Sequence, residues 1–361
     1  MMFGDIYKGR HVLVTGHTGF KGSWLALWLK VLGARVTGIA LPPETDPHHF
    51  GQLNLDIESH FIDIRDQKPL RDQIRDSDPE VVFHMAAQPL VRRSYRAPLE
   101  TWATNVMGTA NVLDACREAK RLTAIIVVTT DKCYENNEWV WGYRETDRLG
   151  GHDPYSASKA GCELVAASYR KSFFSSPDAP LLATARAGNV IGGGDWSEDR
   201  LIPDLVRAIQ HGRPVEIRSP TATRPWQHVL ECLSGYLMLG QKLIERNSIF
   251  AEAWNFGPDR EGNRQVRQVL DAIKRQWPAA EWYDAGQAQA HEAHLLQVDS
   301  DKARQRMQWQ PVWTFDEGVT ATAEWFQAWL ERGDVISRAQ LARYAARASA
   351  RKLAWAERGS S

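Results

Sequence analysis

Three groups of residues combine side-chain type and spacing in ways that could do chemistry. Tyr155-Ser156-Ala157-Ser158-Lys159 sets a phenol and an ammonium four residues apart, one turn along the same face of a helix. A cation beside a phenol favours the phenolate and makes a base able to take a hydroxyl proton during hydride transfer. Thr129-Thr130-Asp131-Lys132 places hydroxyls, a carboxyl group and an amine at the end of the β-branched run 123–129. Open α/β sheets bind their ligands at such carboxyl ends of strands. Gly16-His17-Thr18-Gly19-Phe20-Lys21-Gly22 spaces three glycines as G-x-x-G-x-x-G. Glycines there allow a tight turn and close backbone approach, and the helix behind them offers N–H donors to a pyrophosphate. A lone Y-x-x-x-K arises easily by chance; all three patterns on one chain do not.

The elements that must position these groups follow from periodicity. Residues 10–15 (RHVLVT) read as a buried strand and 23–32 as a helix stopped by Gly33. Residues 35–40 (RVTGIA) read as the next strand, so strand, glycine loop, helix and strand fit within about 30 residues. Further strands are expected at 80–85, 123–129 and 181–187, with helices at 99–120 and 155–174. This alternation predicts an α/β fold, a Rossmann-like doubly wound parallel sheet with a smaller C-terminal substrate-binding lobe. The expected division is 1–188, with about 227–258 returning to the sheet, as the dinucleotide-binding unit. Residues 189–226 and 259–330 form the smaller lobe, and 331–361 an Ala/Arg-rich helical tail read first as a solvated surface helix, with a partner- or oligomer-contacting tail as the alternative.

Composition narrows the function. The 361 residues hold 44 basic and 44 acidic side chains, a formal charge of zero, which argues against nucleic acid as a partner. The longest apolar runs, such as 24–29, fall far short of the roughly 18 residues of a membrane span. The opening MMFGDIYKGR is too polar for a secretory signal, so a cytoplasmic protein is expected. Cys116, Cys133, Cys162 and Cys232 form no C-x-x-C pair and read as free thiols in a reducing compartment. No metal is expected. In His291-Glu292-Ala293-His294 the histidines are three apart, unlike H-E-x-x-H, and His48-His49 have no carboxylate or thiolate set beside them. Lys and Arg are absent from 36–64, so the 2′-phosphate of NADP would find no cation there, and the chain leans to NAD.

These motifs together resemble the extended short-chain dehydrogenase/reductases, in the branch that modifies nucleotide sugars, over roughly residues 8–330. Supporting pieces stand where that family has them: Asp63-Ile64, Ala86-Ala87-Gln88, Asn105 and Asn255-Phe256-Gly257. The resemblance implies NAD held by Gly16, Thr18, Gly19, Phe20, Gly22, Asp63, Ile64, Ala86, Ala87, Gln88, Asn105, Tyr155 and Lys159. Asp131-Lys132 after Thr130, with the segments 186–196 (RAGNVIGGGDW) and 224–231 (RPWQHVLE), resembles the 4,6-dehydratases and implies CDP-glucose as substrate. The implied reaction is an internal redox elimination by Thr130, Asp131, Lys132, Tyr155 and Lys159. In it Asp131 protonates the departing hydroxyl, while Lys132 is either a neutral base at carbon 5 or a charged stabiliser of the enolate. Asn189, Arg200 and Arg224 are candidate substrate contacts; His228 is either another or a packing residue at a helix start. The family also implies a homo-oligomer, a dimer or dimer of dimers, joined through the helices at 99–120 and 155–174. A dehydratase or epimerase acting on another nucleotide sugar and a non-catalytic NAD-binding scaffold are the rival readings.

Overall fold

The computed structural model describes residues 2–286 and 295–356, so the His291–His294 pattern lies outside the described residues. Seven parallel strands form the central sheet: β1 (His11–Thr15), β2 (Arg35–Ala40), β3 (Glu58–Phe61), β4 (Val81–His84), β5 (Ala124–Val128), β6 (Leu181–Arg186) and β7 (Ala253–Asn255). Their order across the sheet is β7-β6-β5-β4-β1-β2-β3. The direction of winding reverses between β1 and β4, the switch point where such sheets open a crevice.

Alternate residues of each central strand serve opposite cores. Val12 and Val14 of β1, with Ala124, Ile126 and Val128 of β5, enter one cluster; Leu13, Ile125 and Val127 enter the other. Both faces are buried, which is why these strands are apolar throughout. Helix α1 (Phe20–Val31) packs on the first face, and α2 (Gln67–Ser77), α3 (Gly108–Cys116) and α4 (Pro154–Ser172) on the second. Helix α5 (Val229–Ile244) returns to the first face with nearly every side chain buried, as a helix apolar on all sides must be.

The helix expected at 99–120 is assembled from parts. Pro98 starts a turn, residues Ala103–Met107 widen into a π-type turn, and α3 ends at Cys116. The wide turn brings the Asn105 side chain inward, a common use of such bulges.

The smaller lobe is stitched by three two-stranded pairings: Val190–Ile191 with Gln227–His228, Thr223–Pro225 with Asn263–Gln265, and Val215–Ile217 with Trp282–Asp284. Helix α6 (Phe315–Arg332) opens on a capping box from Thr314 and Glu317.

The tail is not the solvated helix expected from its composition. Helix α7 (Ser337–Ala350) buries Ser337, Gln340, Leu341, Tyr344 and Ala348, spaced along one stripe. Tyr344 meets Trp28 of α1 edge-on at 5.7 Å, and Trp355 stacks on Phe3 at 5.1 Å. The Tyr344 hydroxyl donates to Glu231 at 2.8 Å, a carboxylate that also accepts the Val312 and Trp313 amides. Arginines on the other side of the stripe, Arg343 and Arg347, pair with Glu324 and Glu317 of α6. Among the described residues no helix is long and apolar enough to cross a membrane.

Candidate active site

The glycine loop turns between β1 and α1, and Gly16 lies at φ +75°, where a side chain is strained. A Cβ at Gly16 would also stand 2.7 Å from the Ala86 amide nitrogen, so the loops after β1 and β4 meet backbone to backbone. Gly19 caps α1, and a Cβ on Gly22 would collide with the Gly16 carbonyl. A cradle of this kind, with Phe20 opening the helix at the switch point, fits a dinucleotide pyrophosphate on the helix N-terminus. The second loop residue, His17, is buried against Gly38 and shares a 2.7 Å hydrogen bond with the Ser59 hydroxyl. Burial lowers its pKa to about 4, so the ring is neutral. Thr18 donates to the Leu41 carbonyl at 3.0 Å.

Several expected cofactor residues serve first as braces. Asn105 accepts from the Gln88 amide at 2.8 Å, donates to the Gln88 carbonyl at 3.1 Å, and reaches Ser158 Oγ at 2.8 Å. It therefore ties the Ala86-Ala87-Gln88 loop to the helix carrying Tyr155 and Lys159. Gln88 closes its own loop by donating to the Leu90 carbonyl and the Thr101 hydroxyl. Asp63 is engaged by the Arg65 guanidinium at 2.5 Å, which holds its carboxyl below the usual range. Ile64 is buried, and a Cβ on Gly108 would stand 2.5 Å from its Cδ1.

Three elements bring the reactive side chains together. The ladder between β5 and β6 continues past the strand ends: the Thr129 amide donates to Ala185 at 2.9 Å and the Asp131 amide to Ala187 at 3.2 Å. A single 3₁₀ turn, Asp131–Cys133, follows, and the Thr130 hydroxyl accepts from the Lys132 amide at 3.3 Å. Helix α4 begins at Pro154 with Asp153 as its cap, accepting from the Ser156 amide at 2.9 Å. That start sets Tyr155 in the first turn and Lys159 one turn on, both buried.

Their electrostatics follow from burial. Burial raises the Asp131 pKa, and Lys132, the Thr130 hydrogen bond, Arg224 and Lys21 only partly oppose it. Asp131 Oδ1 accepts from Thr130 at 3.0 Å, while Oδ2 is buried without a partner. A Cβ on Gly188 would stand 2.8 Å from that Oδ2. Lys132 is drawn down, again chiefly by burial, with Asp131 pulling the other way. Tyr155 departs from the effect expected of a neighbouring ammonium. Burial pushes its phenol up, against hydrogen bonding with Thr130 and the charge of Arg200. Lys159, itself lowered by burial, turns its ammonium to the Val128 carbonyl at 3.2 Å instead.

The expected substrate residues divide. Arg224, nearly buried, donates to the Thr223 carbonyl at 2.9 Å and its charge acts on both Asp131 and Lys132. Arg200, 3.5 Å from Asp195, acts on Tyr155 and Lys132. Asn189 is half-buried, and its carbonyl accepts from the Gln227 amide at 3.1 Å. His228 is buried between Trp24 and Trp313, its Nδ1 accepts from the Leu230 amide at the start of α5, and its Nε2 is buried without a partner. Its pKa is lowered to about 3 by burial.

Reading by motif passed over two features. Lys21 is a cation in the first turn of α1, where the helix dipole disfavours it, and its charge reaches Asp131 and Lys159. That misplacement was the available signal. The other is a buried Glu163–Arg186 pair beneath the site, with side chains 4% and 3% exposed.

The sequence model of GDP-mannose 4,6 dehydratase matches residues 13–322. The chain belongs to this dehydratase family. It is 48% identical to the CDP-glucose 4,6-dehydratase of Salmonella typhimurium over 92% of this chain and 94% of that protein. Identity to the dTDP-glucose 4,6-dehydratase of Xanthomonas campestris is 24% over 88% of this chain and 94% of the relative. Among solved structures, MoeE5 in complex with UDP-glucose and NAD superposes with a TM-score of 0.75 at 25% identity, covering 89% of this chain and 99% of that one. The epimerase Mth375 of Methanothermobacter thermautotrophicus superposes at 0.79 with 23% identity, covering 93% and 96%, a likeness of fold.

Proposed function

We propose that this dehydratase converts CDP-glucose to CDP-4-keto-6-deoxyglucose with loss of water, using NAD. One observation carries the reading. A buried acid with an unpartnered oxygen and a lysine whose charge is disfavoured stand side by side directly after Thr130, where a dehydratase needs a proton donor and a base. The 48% identity to a CDP-glucose enzyme supports the choice of substrate.

Bound in the glycine-loop cradle, NAD supplies the hydride acceptor for carbon 4 and the donor for carbon 6. Tyr155 takes the proton of the 4-hydroxyl while Thr130 hydrogen-bonds the same oxygen. For this the phenol must be drawn down from its buried value, the direction in which Arg200 and Thr130 already act. The resulting 4-ketone acidifies the hydrogen on carbon 5. Lys132, its pKa lowered by burial, takes that proton when neutral; when charged, it stabilises the enolate while water or Tyr155 takes the proton. Asp131, whose protonated form burial favours, gives its proton to the 6-hydroxyl, which leaves as water.

We assign cofactor binding to residues 1–188 with about 227–258, and nucleotide-sugar binding to 189–226 and 259–330, with Arg200 and Arg224 on the diphosphate. Four unpaired buried thiols favour a cytoplasmic setting. Exposed Leu99, Trp102 and Met107 lie on the segment that packs against α4, which itself exposes Leu164, an apolar surface suited to a second copy of the chain. Sedimentation of wild type against Leu164→Arg tests that dimer; an unchanged mass removes it.

The deciding experiment incubates the protein with CDP-glucose, dTDP-glucose, UDP-glucose and GDP-mannose, with and without NAD, and follows product mass. Loss of one water from CDP-glucose alone is expected. A product of unchanged mass would replace the dehydration by epimerisation, and no product with NAD bound would favour the scaffold reading.

A further inference from the structure

Glu163 lies one turn beyond Lys159 on α4, within the protein and away from the cleft. Its two oxygens have four donors: Thr129 Oγ1 at 2.5 Å and Arg186 Nε at 2.8 Å on one, Thr184 Oγ1 at 2.7 Å and Arg186 Nη2 at 2.8 Å on the other. Burial raises its pKa, but the Arg186 charge and these hydrogen bonds outweigh it and hold the group ionised. Arg186, from the end of β6, extends its remaining nitrogen to the Tyr134 hydroxyl at 2.7 Å and lies over the Tyr134 ring. Tyr134 in turn donates to Asn255 Oδ1 at 2.7 Å. Asn255 donates to the Tyr143 and Asp299 carbonyls at 2.8 and 2.9 Å.

Thr129 and Tyr134 are the residues immediately before and after Thr130-Asp131-Lys132-Cys133. One ion pair therefore grips this short segment at both ends, Glu163 holding Thr129 from the helix that carries Tyr155 and Lys159 and Arg186 holding Tyr134 from the end of β6. We propose that Glu163 and Arg186 are positioning residues. Their clamp on Thr129 and Tyr134 sets Asp131 and Lys132 in register with Tyr155, so that water elimination depends on it more than oxidation does. The inference rests on the assignment of Asp131 and Lys132 to the elimination step.

Thr129→Val removes one hydrogen bond at constant shape, Thr129→Ser keeps it, and Tyr134→Phe cuts the link from Arg186 to Asn255. In single turnovers with CDP-glucose and NAD, nicotinamide absorbance reports the reduced cofactor, and product mass reports water loss. Thr129→Val and Tyr134→Phe are expected to slow water loss about tenfold to a hundredfold, as a small misplacement does. Reduced cofactor then accumulates where wild type shows none, KM stays within about twofold, and Thr129→Ser restores the wild-type course. A readout independent of turnover is alkylation of Cys133, which is fully buried inside the clamped turn. Peptide mass spectrometry should find Cys133 labelled faster in Thr129→Val and Tyr134→Phe, with Cys116 and Cys232 unchanged as controls for global opening. Faster Cys133 labelling beside a wild type that dehydrates no nucleotide sugar would keep the clamp and remove the functional reading. Unchanged labelling, or oxidation and elimination slowed equally with a fall in Tm, would overturn the clamp.

Discussion

Two acid–base pairs lie near the ends of β5 and β6, and their surroundings differ in kind. Glu163 and Arg186 meet at 2.8 Å with both carboxylate oxygens doubly served. Asp131 and Lys132 are adjacent in the chain, yet Asp131 Oδ2 has no partner. In the first pair, attraction and hydrogen bonds overcome burial, and the glutamate is held ionised. In the second, burial dominates, raising the acid and lowering the lysine. A satisfied pair fixes geometry; an unsatisfied one is poised to exchange protons.

The largest effects should separate the chemistry of the two pairs. Tyr155→Phe, which removes the proposed first base, should cut turnover of CDP-glucose about 10²–10⁴-fold. Asp131→Asn should leave oxidation measurable while water loss falls, seen as reduced nicotinamide without product. Loss of both steps together in Asp131→Asn would mean that the pair is not divided between them.

Stability should separate the pairs in the opposite sense. Arg186→Met leaves Glu163 buried without its cation and should cost about 3–5 kcal/mol in denaturant unfolding. Asp131→Asn replaces a carboxyl group whose charge burial disfavours with a neutral amide of the same shape and should change stability by less than about 1 kcal/mol. Equal losses from the two substitutions would erase the contrast.

A smaller effect concerns a third buried acid, Glu231 under the tail. Burial pushes it up to about 7, against the Trp313 and Val312 amides, the Tyr344 hydroxyl and Arg351. Its folded pKa therefore exceeds the ordinary 4.5. Between these values the folded state binds more protons than the unfolded one, so stability falls as pH rises. The contribution is whole below about pH 4.5 and lost by about pH 7. Thermal melts at pH 5 and pH 8 should show that fall in wild type and less of it in Glu231→Gln.

What could be read from the residues was local. The glycine loop, the strand–helix alternation and the Y-x-x-x-K turn each lie within one short segment, where periodicity and spacing speak directly. The clamp was hidden because Thr129, Glu163, Thr184 and Arg186 come from three elements, and each alone is an ordinary residue of its strand or helix. Spacing also could not decide the Tyr155 pKa, since Lys159 turns to a backbone carbonyl and burial sets the sign. The tail was misjudged because its alanines and arginines outweigh Leu341 and Tyr344, although these two and Ala348 follow a helical stripe.

That docked tail also orders the life of the chain on the ribosome. Trp28 is made early, but its cover is Tyr344 and Trp355, made more than 300 residues later by their numbering. The Phe3 amide likewise waits for the Trp355 carbonyl, its acceptor at 2.6 Å. While synthesis proceeds, the Trp28 indole on α1 lacks its Tyr344 and Trp355 ring neighbours, and α1 is covered in full only when residues 344–355 have been made. A message cut short after the family's core would yield a protein with every proposed catalytic side chain and an open seam along its first helix.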